Sequence, residues 1–221
     1  MACDDGPPET GRIFTHPAFL HRLHRPPDAG ADVLVLLHGS GADENSLVPL
    51  ATDIDPRATL IAPRGRVVQD GDPRWFTRVT PIRFDQASIR REAAAFAAFM
   101  TDAIDRHAFD PRRIVFLGYS NGANLLTSVM LLHPGIVARA VLLRAMPVLD
   151  VYPRGTLGGT DVVIIAGAKD VTYGGFAAPL AGLLRDNGAR VTSRTVTHGH
   201  EFGSEDVRIV RAWLGRPGAA A

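Results

Sequence analysis

Ser120 stands at the centre of Gly118-Tyr119-Ser120-Asn121-Gly122, between the apolar run RRIVFLG and the helix-like run ANLLTSVMLL. A serine hydroxyl becomes a useful nucleophile only when a base takes its proton, and the base needs a carboxylate to hold it in one tautomer. The pattern G-x-S-x-G alone is weak, arising by chance roughly 0.07 times in a chain of this composition. Its weight comes from its place between a strand pattern and a helix pattern, which is where a nucleophile elbow must lie. So sharp a turn strains the serine backbone and presses strand against helix, and Gly118 and Gly122 supply positions without a Cβ. The hydroxyl then projects over the carboxyl edge of the sheet, beside the free N–H groups of a helix N-terminus.

Three of the eight histidines follow Ser120: His133, His198 and His200. The chain order of such a site, Ser then acid then His, restricts the base to these three. His133 closes the helix that starts at the serine and reads as a capping or packing residue. His198 and His200 lie in THGHEFG, between the last strand and the last helix. The glycine before His200 and the helix after it favour His200 as the base, with His198 a loop residue. Asp170 follows DVVIIAG at the carboxyl end of a buried strand and is the preferred acid. Asp150, after the preceding strand, is the runner-up, and either aspartate could instead cap a turn.

A developing oxyanion needs a second donor, and in this arrangement it comes from the loop after an early strand. LLHGSGADE fits: Gly39 and Gly41 allow close backbone approach, and the Ser40 N–H can pair with that of Asn121. His38 reads as structural, bonded within the loop. The glycine pair lacks the Walker lysine and the full dinucleotide spacing, so a phosphate cradle is disfavoured. The histidines lack zinc-like spacing, so neither a metal nor any other cofactor is expected.

These residues require a scaffold of buried strands followed by helices. DVLVLLHG, ATLIAP, RRIVFLG, RAVLLRAM, DVVIIAG and RVTSRTV are short apolar or β-branched runs of the kind buried on both faces of a parallel sheet. Between them lie helical patterns, the longest carrying Ile89, Ala93, Phe96 and Met100 on one stripe. The alternation predicts an α/β sandwich with right-handed crossovers. RIFTHPAFLHRLHRP suggests an added antiparallel edge strand or hairpin. The 221 residues suit one domain, with about 1–12 and 215–221 as flexible tails.

The formal charge of +1 is scattered along the chain, which gives no electrostatic case for nucleic acid. Cys3 is the one cysteine, so no intramolecular disulfide can form. The N-terminus carries Asp4, Asp5, Pro7 and Pro8 in place of a basic and apolar leader, and no apolar run approaches a membrane span. A cytoplasmic monomer or homodimer is expected. Residues 63–83 form the longest irregular stretch, and such loops are usually functional. Trp75 and Phe76 could line a pocket there or plug the loop onto the core; Tyr119 is open in the same way.

LLHGSGADENSLVPLA, APRG, RWF, GYSNGANL, GAKD and GHEF together resemble the small bacterial phospholipase/carboxylesterase family of α/β-hydrolases over about residues 13–214. The resemblance is closest to a subgroup with G-Y-S-N-G-A-N, which includes hydroquinone-responsive hydrolases. It implies a mostly parallel central sheet with helices on both faces and no large cap. It also implies Ser120, Asp170 and His200 as nucleophile, acid and base, with Ser40 and Asn121 in the oxyanion hole. RAMP, with Arg144, departs from the subgroup's HHPM-like stretch, and VTYGG follows the acid where proline is common. Arg144 could face the pocket and favour an anionic acyl or leaving group, or snorkel to the surface.

The expected activity is hydrolysis of small to medium carboxylic esters by water through an acyl-enzyme. A thioesterase or lysophospholipase with the same three residues is the alternative. A non-catalytic binding or regulatory protein on a hydrolase scaffold is the distant one.

Overall fold

The computed structural model describes residues 12–15, 18–155 and 157–215. The expected flexible tails lie outside the described residues, except for Arg12 and Gly215.

The six apolar runs become β3 (Val33–Leu37), β4 (Thr59–Pro63), β9 (Ile114–Tyr119), β10 (Arg139–Leu143), β11 (Asp161–Gly167) and β12 (Arg190–Val196). They are preceded by a hairpin of β1 (Arg12–Thr15) and β2 (Leu20–His24). Together these form one eight-stranded sheet in the order β1-β2-β4-β3-β9-β10-β11-β12. Pairing is parallel from β4 to β12, while β2 runs antiparallel to β4 and to β1 at the edge. The N-terminal run therefore forms the antiparallel edge that its sequence suggested.

Among the described residues, α1 (Val48–Ile54), α2 (Gln86–His107), α3 (Asn121–Leu132) and α4 (Ala177–Asp186) lie between strands, and α5 (Ser204–Leu214) follows β12. Alternation along the strands separates two cores. Val33, Val35, Leu37, Phe116, Val162 and Ile164 face α2, α3 and α4. Leu34, Leu36, Val115, Leu117, Val163 and Ile165 face α1 and α5. The stripe of Ile89, Ala93, Phe96 and Met100 on α2 is wholly buried. Burial of each large side chain of this kind stabilises by about 1.5–3 kcal/mol. Asp85 starts α2 by accepting the Ser88 N–H at 2.9 Å, and Ala108 ends it in the left-handed conformation.

Residues 63–83 are more ordered than their composition predicts. They form two antiparallel hairpins, β5 (Val67–Gln69) with β6 (Asp72–Arg74), and β7 (Arg78–Thr80) with β8 (Arg83–Phe84). Each strand is two or three residues long, too short for period-two alternation to register. Among the described residues, no helix is long and apolar enough to cross a membrane.

Candidate active site

Adjacent parallel strands deliver one residue each to the carboxyl edge of the sheet. Ser40 follows β3, Ser120 follows β9, Arg144 follows β10, Asp170 follows β11 and His200 follows β12.

Ser120 has φ 51° and ψ −114°, a conformation costly for a residue with a side chain. The surroundings hold it there. Its N–H donates to the Leu143 carbonyl at 2.8 Å, and its carbonyl accepts the Asn124 N–H at 3.0 Å. A Cβ on Gly118 would lie 2.6 Å from Ala123 Cα, and one on Gly122 would lie 2.1 Å from the Leu37 carbonyl oxygen. Only glycine lets the helix settle this closely onto β9 and β3.

The Ser120 Oγ is 3.0 Å from His200 Nε2, and His200 Nδ1 is 2.7 Å from Asp170 Oδ2. The other carboxylate oxygen, Oδ1, accepts backbone N–H bonds from Tyr173 at 2.9 Å and Thr172 at 3.2 Å. Burial by itself would raise the Asp170 pKa. The His200 hydrogen bond, with those backbone donors, outweighs it and holds the carboxyl below its ordinary value. An ionised Asp170 can only accept, so Nδ1 carries the ring proton and Nε2 is left to accept from the serine hydroxyl. The imidazole contacts two tilted phenol rings, Tyr173 with centroids 4.9 Å apart and Tyr119 at 5.4 Å.

Asn121 is the first residue of α3, where backbone N–H groups have no intrahelical acceptor. Its side chain is occupied elsewhere, accepting the Trp75 N–H at 2.8 Å. Gly39 packs against the elbow, since a Cβ there would lie 2.9 Å from the Tyr119 ring and 3.8 Å from Ser120 Cβ. The exposed Ser40 follows it, with Oγ accepting from Arg74 Nη1 at 2.8 Å. His38 is buried below this loop. Its Nε2 accepts the Gly65 N–H at 2.9 Å, so the proton sits on Nδ1 and goes to the Gly39 carbonyl at 2.7 Å.

The other residues singled out in the sequence take these places. Trp75 and Phe76 do not line a pocket: they are 1% and 0% exposed and belong to the core. The Trp75 indole donates to the His38 carbonyl at 2.8 Å, and Phe76 stacks edge-on with Phe84. Arg144 neither faces a pocket nor reaches the surface; its side chain is fully enclosed in an ion pair with Asp206 at 2.8 Å. Tyr119 packs on the loop that carries His200, its hydroxyl donating to the His200 carbonyl at 3.1 Å. Asp150 is exposed and apart from this cluster, and His198 bonds Asp206 at 3.1 Å through Nε2. His133 caps the end of α3 through its backbone N–H.

Sequence reasoning missed Arg74 and Asn124, whose Oδ1 accepts the Met146 N–H at 2.8 Å. It also missed Tyr173 and Asp206. Asp206 carried one visible signal, as an acid in the first turn of α5.

A mostly parallel sheet with helices on both faces, and a strained strand-to-helix turn at its carboxyl edge, defines an α/β-hydrolase. The model of the phospholipase/carboxylesterase family matches residues 21–214, and the chain belongs to that family. A carboxylesterase from Mesorhizobium loti has 51% sequence identity and a TM-score of 0.91, covering 94% of this chain and 100% of the other. The Bacillus cereus carboxylesterase has 31% identity and a TM-score of 0.83, covering 88% and 92%. The Bacillus subtilis (strain 168) protein MhqD, which carries a hydrolase name, is 31% identical over 183 residues, 82% of this chain and 92% of its own. The chain thus belongs to a phospholipase/carboxylesterase family and is similar to solved carboxylesterases.

Proposed function

We propose that the protein is a serine carboxylesterase acting on small to medium esters. The observation that carries this reading is the unbroken line from Asp170 through His200 to Ser120, at 2.7 and 3.0 Å. In this account Ser120 Oγ attacks the ester carbonyl as His200 Nε2 takes its proton, giving a tetrahedral intermediate. The N–H groups of Ser40 and Asn121 hold its oxyanion. His200 returns the proton to the leaving alkoxide, and the acyl group stays on Ser120. Water then attacks the acyl-enzyme with His200 as base, and the acid is released as the proton goes back to Ser120. Asp170 holds the imidazole and its charge throughout.

The test is steady-state hydrolysis of aryl esters by wild type and Ser120→Ala. A loss of about 10⁴-fold or more in kcat, with the fold intact, is expected. Ordinary turnover by Ser120→Ala would refute the assignment.

One observation favours lipid esters as a second class of substrate. Val79 and Ile82, on and beside the β7–β8 hairpin, are 64% and 52% exposed, and Val171, beside Asp170, is 99% exposed. Tyr173 OH donates to the Pro81 carbonyl at 3.3 Å, which joins the two segments that carry them. Exposed apolar side chains gathered near a site suit an apolar acyl chain.

A further inference from the structure

Arg144 is a positively charged side chain closed off from water at the centre of the hydrolase edge, and ester hydrolysis as proposed above assigns it no task. Its guanidinium has five N–H donors in a planar fork, and five contacts engage them. Nε donates to the Gly199 carbonyl at 3.0 Å. Nη1 donates to the Ile165 carbonyl at 3.2 Å and to Asp206 Oδ1 at 2.8 Å. Nη2 donates to the Glu201 carbonyl at 2.6 Å and to Asp206 Oδ2 at 3.1 Å.

Gly199 and Glu201 are the two neighbours of His200. The fork therefore grips the backbone on both sides of the base. The same stretch also reaches the nucleophile, because the Leu143 carbonyl accepts the Ser120 N–H at 2.8 Å. Leu143 and Arg144 thus fix Ser120 on one side and the His200 loop on the other. Arg144 has φ 53°, in the left-handed region that a residue with a Cβ avoids, while its N–H bonds the Ile165 carbonyl at 3.0 Å. Asp206 in turn accepts the Gly203 N–H at 2.9 Å and His198 Nε2 at 3.1 Å, which anchors the loop to the start of α5.

We infer that Arg144 is a positioning residue for His200, which sets the base over Ser120 by holding the Gly199 and Glu201 carbonyls against a buried pair with Asp206. The inference rests on the reading of His200 as the base. A lysine at this position keeps the charge but is a point donor that cannot reproduce the planar fork.

The experiment uses the full chain, with wild type, Arg144→Lys and the double variant Arg144→Met/Asp206→Leu. Replacing both partners of a buried pair by apolar residues is often neutral for stability, so the double variant separates positioning from folding. Each protein is titrated with a fluorophosphonate to count competent Ser120 sites, and aryl-ester kcat and KM are measured per folded molecule. A shift of the base by about 1 Å costs on the order of 10²-fold. Arg144→Lys and the folded double variant should therefore lose roughly 10- to 100-fold in kcat, with KM nearly unchanged.

A kcat equal to that of wild type in folded Arg144→Lys would overturn the inference and leave the esterase reading standing. So would a loss fully accounted for by a smaller folded fraction. Failure of wild type itself to label at Ser120 would overturn the esterase reading, and the inference with it. If the double variant does not fold, Arg144→Lys decides alone.

Discussion

Asp170 divides its carboxylate between two tasks, with Oδ1 held by the backbone N–H groups of Tyr173 and Thr172 and Oδ2 facing His200 Nδ1 at 2.7 Å. The turn that follows β11 thus aims one oxygen at the imidazole before any substrate arrives. Asp170→Asn keeps the shape but can present an amide N–H to Nδ1, which favours the wrong ring tautomer. A fall of about 10⁴-fold in kcat is expected, with little change in the thermal melt. Steady-state kinetics on an aryl acetate checks this, and a loss under tenfold would speak against the role.

Glycine substitutions should separate stability from activity. A Cβ on Gly167, at the end of β11, would lie 1.9 Å from the Gly199 carbonyl oxygen and 2.8 Å from that of His198. Gly167→Ala must push away the loop that carries His200, with an expected stability loss of about 1–3 kcal/mol. The displaced base should cost on the order of 10²-fold in kcat as well. Gly182, inside α4, has nothing within 4 Å of its added Cβ. Gly182→Ala should stabilise by about 0.5–1 kcal/mol and leave kcat alone. Urea unfolding and kinetics on both variants test the contrast.

Burial lowers the pKa of His38 below its ordinary value, against smaller upward pulls from the Gly39 hydrogen bond, Asp43 and Glu44. The unfolded chain takes up this proton near pH 6.5, and the folded ring resists it until lower pH. The His38 contribution to stability is therefore complete above about pH 6.5 and is lost as pH falls through the folded value. In urea unfolding, the stability gap between wild type and His38→Gln should narrow as pH falls from about 7.5 to 5, by at most about 1.4 kcal/mol per pH unit. A gap independent of pH would contradict the buried neutral imidazole.

Much of this architecture can be read from the chain, because a strand buried on both faces must be apolar throughout. All six runs form strands and the antiparallel hairpin lies at one edge, but RVTSRTV is not buried on both faces: β12 closes the other edge of the sheet and is mostly exposed, as its Thr, Ser and Arg residues allow. That Ser120, Asp170 and His200 meet was legible, because an elbow needs glycines at fixed offsets and the other two residues lie in the loops after β11 and β12. Arg144 was not. A lone arginine after an apolar strand gives no sign of direction, and its partner Asp206 lies 62 residues away, where it resembles a helix-start acid. Trp75 and Phe76 were left open for a related reason: aromatic residues in a polar loop look alike whether they line a pocket or anchor the loop. The Trp75 N–H donates to Asn121 Oδ1 across 46 residues and its indole to the His38 carbonyl, contacts that fix this segment against the core and that local sequence does not reveal.

If lipid esters are substrates, the exposed Val171, Val79 and Ile82 should matter only for long acyl chains. Val171→Ser is expected to reduce kcat/KM several-fold for octanoate or longer esters and to leave acetate esters within about twofold, since removing exposed apolar contact without adding charge beside Asp170 affects binding alone. A panel of aryl esters of increasing chain length checks this, and a uniform effect across the panel would remove the support for the lipid reading.

The central claim is that Ser120 is the residue that becomes covalently acylated. Intact-mass and peptide mapping after exposure to a fluorophosphonate tests it most directly. One phosphonyl adduct is predicted per chain, located on Ser120, absent from Ser120→Ala, and formed in step with loss of ester hydrolysis. Full inactivation with the adduct elsewhere, or undiminished hydrolysis with Ser120 fully modified, would contradict the account.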